Sequence, residues 1–172
     1  MRELSHLFNR FRLAHLNARY NARKAQGLER YDRALQMIIA ILTGVAFAVL
    51  GFSEFVPSHG TAVKVIALIA SVAAFLVSTA APWFGLASKL KEARTAASAW
   101  STAALQIEAA LRFVRDAGAA DGEVAGWVSS ADFAYQTAAS LPSTEDQDAE
   151  LVASISREIE EAFPTNYVWT SL

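Results

Sequence analysis

Two long stretches of the chain consist of apolar and small residues without a single charge. The first covers 20 residues from Ala34 to Ser53, and the second covers 24 residues from Val65 to Ser88. In a helix that rises about 1.5 Å per residue, 20 residues cross the roughly 30 Å hydrocarbon core of a bilayer. One such stretch is also typical of a buried core helix, but two would need a larger core than the remaining chain can wrap. The pattern therefore predicts two transmembrane helices, over residues 35–56 and 63–87.

The segment between the two stretches predicts a tight turn, because it contains Pro57, Gly60 and polar neighbours. The two helices are therefore expected to form an antiparallel hairpin. Basic residues lie outside the hairpin on both sides, and the turn side has only Lys64, which Glu54 offsets. The positive-inside rule then predicts that both termini lie in the cytoplasm. A cleavable signal peptide is not expected, since the first apolar stretch begins late and is too long.

Small residues recur in steps of three and four along both predicted transmembrane helices, which places them on one face of each helix. Such residues allow helix backbones to approach closely in lipid. Both rows are expected to pack the hairpin, or one row packs it while the other contacts neighbouring subunits or lines a pore. The candidate packing or pore-lining residues are Ala40, Gly44, Ala48, Gly51, Ala67, Ser71, Ala74, Ser78, Ala81 and Gly85.

Polar groups within the two stretches are few. Ser71 and Ser78 lie one heptad apart and could hydrate a lumen, or bond to carbonyls of their own helix. Neither stretch has a charge near its middle, which argues against a proton-coupled transporter or a voltage sensor. Pro82 predicts a kink at the cytoplasmic end of the second helix, because its nitrogen cannot donate a hydrogen bond. The kink is either a hinge for gating or a simple bend.

The pattern of residues 1–34 predicts a basic amphipathic helix that precedes the first transmembrane helix. Four arginines at steps of seven and four form one row, which could contact anionic lipid headgroups or the acidic C-terminal part of the chain. Nucleic acid is not expected as a partner, because no aromatic residues interleave the row and the acidic part would repel phosphates. The row consists of Arg12, Arg19, Arg23 and Arg30.

Residues 86–117 predict a cytoplasmic stalk helix that continues from the second transmembrane helix. Apolar residues recur here in an unbroken rhythm of four and three, and this period is typical of a bundled or supercoiled helix. Many of them are alanines, which give little burial energy each, so partner helices are expected. The predicted oligomer contact consists of Leu90, Ala97, Trp100, Ala104, Ile107 and Leu111.

Residues 118–172 predict an acidic helical hairpin and a tail. The formal charge is +5 over residues 1–34, +2 over 35–94 and −9 over 95–172. Ser143 or Thr144 is expected to cap the last helix, and Pro164 to end it. The carboxylates at 145, 146, 148 and 150 lack the spacing and the glycine of a calcium loop, so they are expected to form a solvated helix face.

The residues give no sign of enzyme chemistry. The chain has no cysteine, and its three histidines lie apart at positions 6, 15 and 59. No metalloprotease, phosphate-binding, nucleophile-elbow or dinucleotide motif occurs. We therefore expect neither an enzyme nor a cofactor, and no metal site.

Several short segments resemble a known family. Arg19-Tyr20 and Gln26–Arg33 precede the predicted hairpin, and Lys91–Arg94 and Leu105–Glu108 follow it. Over roughly residues 10–115, this layout resembles the SLATT family, bacterial two-transmembrane effector domains of nucleotide-signalling defence systems. The resemblance implies a pore-forming or membrane-disrupting effector in antiphage defence, activated by a sensor protein or a nucleotide signal.

The hypothesis from the sequence is thus an all-α membrane protein with a two-helix transmembrane hairpin and a cytoplasmic helical bundle. It would act as a homo-oligomer in the bacterial inner membrane, since two helices enclose no lumen. The alternative is a membrane anchor or scaffold that recruits a soluble partner through its acidic bundle. A phage holin is less favoured, because the cytoplasmic part is long and structured.

Overall fold

The computed structural model describes residues 2–53, 60–80, 85–116, 121–141 and 148–164. These residues are almost entirely helical and contain no strand, which confirms the all-α class. The five helices are α1 (Arg2–Ser53), α2 (Gly60–Ala80), α3 (Leu86–Asp116), α4 (Asp121–Ala139) and α5 (Ala149–Ala162).

The chain divides into two compact units. The terminal unit comprises Met1–Ala25 and Glu92–Leu172, and the central unit comprises Gln26–Lys91. The 52-residue helix α1 contributes its first part to the terminal unit and its remainder to the central unit. The structure thus groups residues 26–34 with the apolar stretches, whereas the sequence pattern groups them with the basic helix.

The main core of the terminal unit lies between α1, α3 and α4. Leu7, Phe11 and Ala14 follow each other at steps of four and three on α1 and are nearly inaccessible to solvent. The opposing face of α3 consists mostly of alanines around Trp100 and Ile107. Small side chains at these positions let the helices approach closely, so the two larger residues can fill the remaining space. Helix α3, which the sequence predicts to need partner helices, packs against α1 and α4 of the same chain.

Helix α5 packs on a different part of α1, around a second and smaller cluster of buried residues. Ile155 and Ile159 are one helical turn apart and lie against Tyr20. The cap of this helix is Asp148 and not Ser143 or Thr144, because the Asp148 carboxylate accepts from the backbone nitrogens of Glu150 and Leu151 at 3.0 and 3.1 Å. The backbone nitrogen of Asp148 in turn donates to the Tyr20 hydroxyl at 3.2 Å. The start of α5 is therefore fixed to α1 by a hydrogen bond as well as by apolar contact.

The chain does not run as one helix from the second apolar stretch into the stalk. Helix α2 ends at Ala80, and Gly85 has a φ of +57°, which lies in the left-handed region. The backbone nitrogen of Lys89 donates to the carbonyl of Gly85 at 2.9 Å, so α3 starts immediately after this glycine. The sequence pattern predicts a helix that continues through residues 85–87, and this prediction is wrong at Gly85, where the helix is interrupted. Gly85 is a turn residue, because a glycine lacks the Cβ that disfavours a positive φ.

A pair of glycine substitutions tests this backbone assignment. We expect Gly85→Ala to lower the free energy of unfolding by about 1–2 kcal/mol, since alanine is strained in the left-handed region. Gly27→Ala is the matched control, because Gly27 lies within α1 and an added Cβ would meet open space. It should raise the free energy of unfolding by about 0.5–1 kcal/mol through helix propensity. Denaturation of detergent-solubilised protein followed by circular dichroism measures both values, and equal changes in the two variants would contradict the assignment.

Candidate functional site

The surface of the central unit is apolar over the length of both its helices. Side chains that a water-soluble protein normally buries are about half to three-quarters exposed here, with Phe47 at 72% and Phe75 at 67%. The exposed set comprises Met37, Ile38, Ile41, Val45, Phe47, Val65, Ile66, Leu68, Ile69, Val72, Phe75 and Leu76. An exposed apolar surface that extends along two helices is typical of a membrane or protein contact.

The described residues that are buried in the central unit are all small. Ala46 on α1 and Ala67, Ala70 and Ala74 on α2 are buried, at 8% exposure or less. Large side chains therefore lie outside and small ones inside, which is the reverse of the order in a water-soluble helical bundle. In lipid this order is favourable, because close backbone approach replaces the hydrophobic drive that water would supply.

Among the described residues, one helix is long and apolar enough to cross a membrane. It lies within Ser5–Val49, and its most apolar window has a mean hydropathy of 1.6 and is only 6% buried. The apolar part of α2, Lys64–Thr79, is shorter. The sequence pattern predicts a second span up to residue 87, but the described part of α2 ends at Ala80.

A cavity of about 280 Å³ opens between α1 and α2 within the central unit. Residues of both helices line it, so the two helices lie side by side over this length. The lining consists of Ile39, Thr43, Ala46, Phe47, Ser71, Ala74, Phe75 and Ser78. The cavity is mainly apolar, and its polar groups are the three hydroxyls.

The structure places the two predicted rows of small residues differently. On α2, Ala67 and Ala74 are buried against α1, and Ser71 and Ser78 line the cavity. On α1, all four members of the row are exposed: Ala40, Gly44, Ala48 and Gly51. A Cβ added at Gly44 or Gly51 would meet no atom within 4 Å. The described alanines of the α2 row are therefore buried within the chain and its serines are exposed at the cavity, while all four members of the α1 row are exposed.

The hydroxyl groups of α2 bond to their own helix. Ser71 donates to the carbonyl of Ala67 at 2.8 Å, and Ser78 donates to the carbonyl of Phe75 at 3.0 Å. Thr79 also donates to the Phe75 carbonyl. These groups are satisfied without water, so their presence on an apolar helix does not require a hydrated lumen. The two remaining predicted positions, Ala81 and Pro82, lie outside the described residues.

Three of the four arginines in the basic row contact α5. Arg23 donates to both carboxylate oxygens of Glu158 at 2.7 Å, and Arg19 lies 3.6 Å from the same carboxylate. Arg12 lies 3.5 Å from Glu160. The fourth member, Arg30, is exposed in the central unit. Of the two partners that the sequence left open for this row, the structure brings the acidic C-terminal part to Arg12, Arg19 and Arg23.

The six residues of the predicted oligomer contact are buried or half-buried within their own chain. Trp100, Ala104 and Ile107 are buried, with exposures of 9%, 2% and 0%. Leu90, Ala97 and Leu111 are half-buried. The first three residues could contact a second copy only if they left the core of the terminal unit.

The sequence pattern did not predict two contacts of the terminal unit. Arg10 pairs with Asp132 of α4, and its guanidinium lies 5.1 Å from the centre of the Tyr135 ring. Asp132 is the one carboxylate in the interior of α4, since the other two lie in its first turn, but the sequence did not indicate its partner. His15 packs against the rings of Phe11 and Phe163 and is half-buried, whereas its position in the sequence showed only that it was isolated.

The described residues contain no group of acidic or histidine side chains that could hold a metal ion. A cavity of about 660 Å³ lies along α4 and has Asp132 as its one ionisable lining residue among those described. The distinctive feature is therefore the apolar surface of the central unit and not a cluster of reactive groups. Comparison with protein-family models, curated proteins and solved structures found no match to this chain.

Proposed function

We propose that the chain is a two-pass membrane protein of the bacterial inner membrane. Residues 35–56 and 63–87 form a transmembrane hairpin, and the terminal unit is a cytoplasmic helical bundle with both termini on the same side. The observation that carries this proposal is the exposed apolar surface of α1 and α2 around a contact of alanines. Full burial of one large aliphatic side chain is worth about 1.5–3 kcal/mol, so leaving a dozen of them half-exposed to water is very costly.

The charges at the ends of the hairpin fit this topology. Arg30 and Arg33 precede the first apolar stretch, and both side chains are exposed. Lys89, Lys91 and Arg94 follow the second stretch and are exposed as well. Basic residues near an anionic membrane surface are each worth about 1 kcal/mol. Arg30 is the member of the basic row that is placed to contact lipid headgroups.

The hairpin acts as a homo-oligomer in this proposal, because two helices cannot enclose a lumen. The exposed row Ala40, Gly44, Ala48 and Gly51 on α1 is the face through which hairpins associate. Small residues at steps of three and four permit close helix contacts in lipid. The alanines of α2 are already used within the chain and do not serve this purpose.

The assembled hairpins breach the membrane, and the protein serves as a non-enzymatic effector in antiphage defence. The resemblance of residues 10–115 to the SLATT family supports this role, with a sensor protein or a nucleotide signal as the activator. A resting cell survives its own effector only if the hairpins stay apart or closed until that signal arrives. The activator therefore either brings the hairpins together or opens hairpins that are already assembled.

Two substitutions separate contacts between chains from contacts within one chain. Gly44→Leu adds a large side chain where the chain itself leaves open space, so the fold should persist. Helices of neighbouring copies would no longer approach closely, and the oligomer should be lost. Ala67→Leu is the matched variant, since Ala67 is 1% exposed within its own chain. It should lower the free energy of unfolding by about 1–3 kcal/mol through overpacking.

Chemical cross-linking in membranes measures the oligomer, and thermal denaturation in detergent measures the fold. An undiminished cross-linked ladder in Gly44→Leu would refute the assignment of the α1 row to subunit contacts. A large loss of thermal stability in the same variant would instead show that Gly44 serves the fold.

A membrane scaffold is the second candidate function, and one observation favours it. The aromatic side chains of Phe133 and Trp127 on α4 are 72% and 42% exposed. Exposed aromatic residues are enriched where a protein binds a partner. In this case the hairpin would serve as an anchor, and α4 would recruit a soluble protein.

Leakage of a dye from sealed vesicles distinguishes the two functions. Purified protein reconstituted at increasing density should release the dye if it forms pores, and Gly44→Leu should release much less at equal density. A scaffold leaves the vesicles sealed at every density. Tags at the two termini should both be protected in closed inner-membrane vesicles of right-side-out orientation, and accessibility of only one of them would exclude the hairpin topology.

A further inference from the structure

The contact of α5 with α1 is separate from the main core of the terminal unit. The main core contains residues of α1, α3 and α4, whereas Ile155 and Ile159 of α5 form their own small cluster with Tyr20. Phe163, directly after α5, packs against both clusters. Among the described residues, Phe163 alone belongs to both clusters, so loss of the α5 contact would leave most of the contact between α1, α3 and α4 in place.

His15 lies at the point where the end of α5 meets α1. The centre of its ring is 4.4 Å from that of Phe11 and 4.9 Å from that of Phe163. Phe11 and Phe163 also contact each other edge to face, with ring centres 4.9 Å apart. The Nε2 atom of His15 is buried, and no described residue bonds to it. A neutral imidazole fits this aromatic setting, whereas a charged one would lack a hydrogen-bond acceptor for the buried nitrogen.

The charges that face this site come from three helices. On α1, Arg19 repels a protonated imidazole, while Arg12 is three residues from His15 and so lies on the same side of the helix. On α5, Glu158 is already engaged by Arg19 and Arg23, and Glu160 is engaged by Arg12. On α3, Glu108 attracts the protonated form but pairs with Arg112.

We propose that α5 is a releasable latch on α1 and that protonation of His15 opens it. The charged imidazole leaves the aromatic contact with Phe11 and Phe163. Helix α5 then separates from α1, beginning at the C-terminal end of α5. Detachment separates Glu158 and Glu160 from the arginines that they neutralise. The face of α1 that carries Arg12, Arg19 and Arg23 then becomes free to bind an anionic group.

The direction of the pH dependence follows from the surroundings of His15. Burial lowers the pKa of His15 below its ordinary value of 6.5, Arg19 lowers it further, and Glu108 raises it to a smaller extent. The released state exposes the imidazole to water, so it binds the proton more tightly than the docked state does. Neutral His15 therefore supports docking above pH 6.5, and this support is lost as the pH falls through 6.5 and toward the pKa of the docked state.

Hydrogen–deuterium exchange on the full-length protein in detergent micelles tests the latch. After correction for intrinsic exchange rates, α5 should exchange faster in acid, by up to about tenfold between pH 7.5 and pH 5.5 for one linked proton. The amides of α3 and α4 should keep their protection, because the main core stays closed.

Two histidine variants make the test specific. His15→Phe keeps the aromatic contact and cannot be protonated, so α5 should exchange equally at both pH values. His15→Leu serves the same purpose if the phenylalanine does not fit. His6→Phe is the matched control, since His6 is exposed on the same helix and should retain the wild-type response.

A pH response that persists in His15→Phe or His15→Leu would overturn the proposal, as would equal exchange of wild-type α5 at both values. Parallel loss of protection in α3 and α4 would do so too, since it indicates unfolding of the whole terminal unit. The latch lies within the terminal unit and does not depend on pore formation. Vesicles that stay sealed would therefore refute the proposed function and leave this proposal standing.

Discussion

The arrangement of the central unit depends on one constraint, the small size of the residues between α1 and α2. Ala46, Ala67, Ala70 and Ala74 are buried there, and the large apolar side chains are left on the outside. Such a unit gains little stability from water-driven burial inside the chain, so its stability depends on an apolar environment around it. The same constraint separates the two rows of small residues, because the row on α2 is used within the chain and the row on α1 is not. A face that is small and apolar yet unused by its own chain is what the proposed assembly requires.

The terminal unit differs because large residues lie inside it among the alanines, while charged residues lie outside. Leu7, Phe11, Trp100 and Ile107 are among the large residues of its main core. Three arginines of α1 pair with carboxylates of α5. The side chains of Arg23 and Glu158 are each nearly 40% exposed, so water screens their attraction and the pair contributes modestly to stability. Apolar contact holds α5 in place, and the charges select which helix it covers. The proposed latch relies on this balance, because a single histidine at the edge of the contact has only a modest set of interactions to overcome.

The proposed effector and the proposed latch connect through α1, the helix that belongs to both units. Its first part has the arginines that α5 covers, and its last part has the exposed row of small residues. Release of α5 in the proposed latch would leave the arginines of α1 without their carboxylate partners and so make the surface of its first part more positive. The apolar surface of the last part of α1 would not change. The proposed control of the effector by the latch needs an element of this kind, which both proposed sites share and each can bias.

The sequence by itself determined the all-α class, the two uncharged stretches and the separation of basic from acidic halves, because helical periodicity and charge are local properties of the chain. It also indicated that α3 needs partner helices. Only the tertiary structure decided that Trp100 and Ile107 find those partners within the chain, since periodicity marks an apolar face without naming what covers it. The break at Gly85 was equally hidden, because a glycine in a small-residue row has the same spacing whether its φ is negative or +57°. The pairing of Glu158 with Arg19 and Arg23, and the contact of His15 with the Phe163 ring, join residues far apart in the sequence, and only packing brings them together.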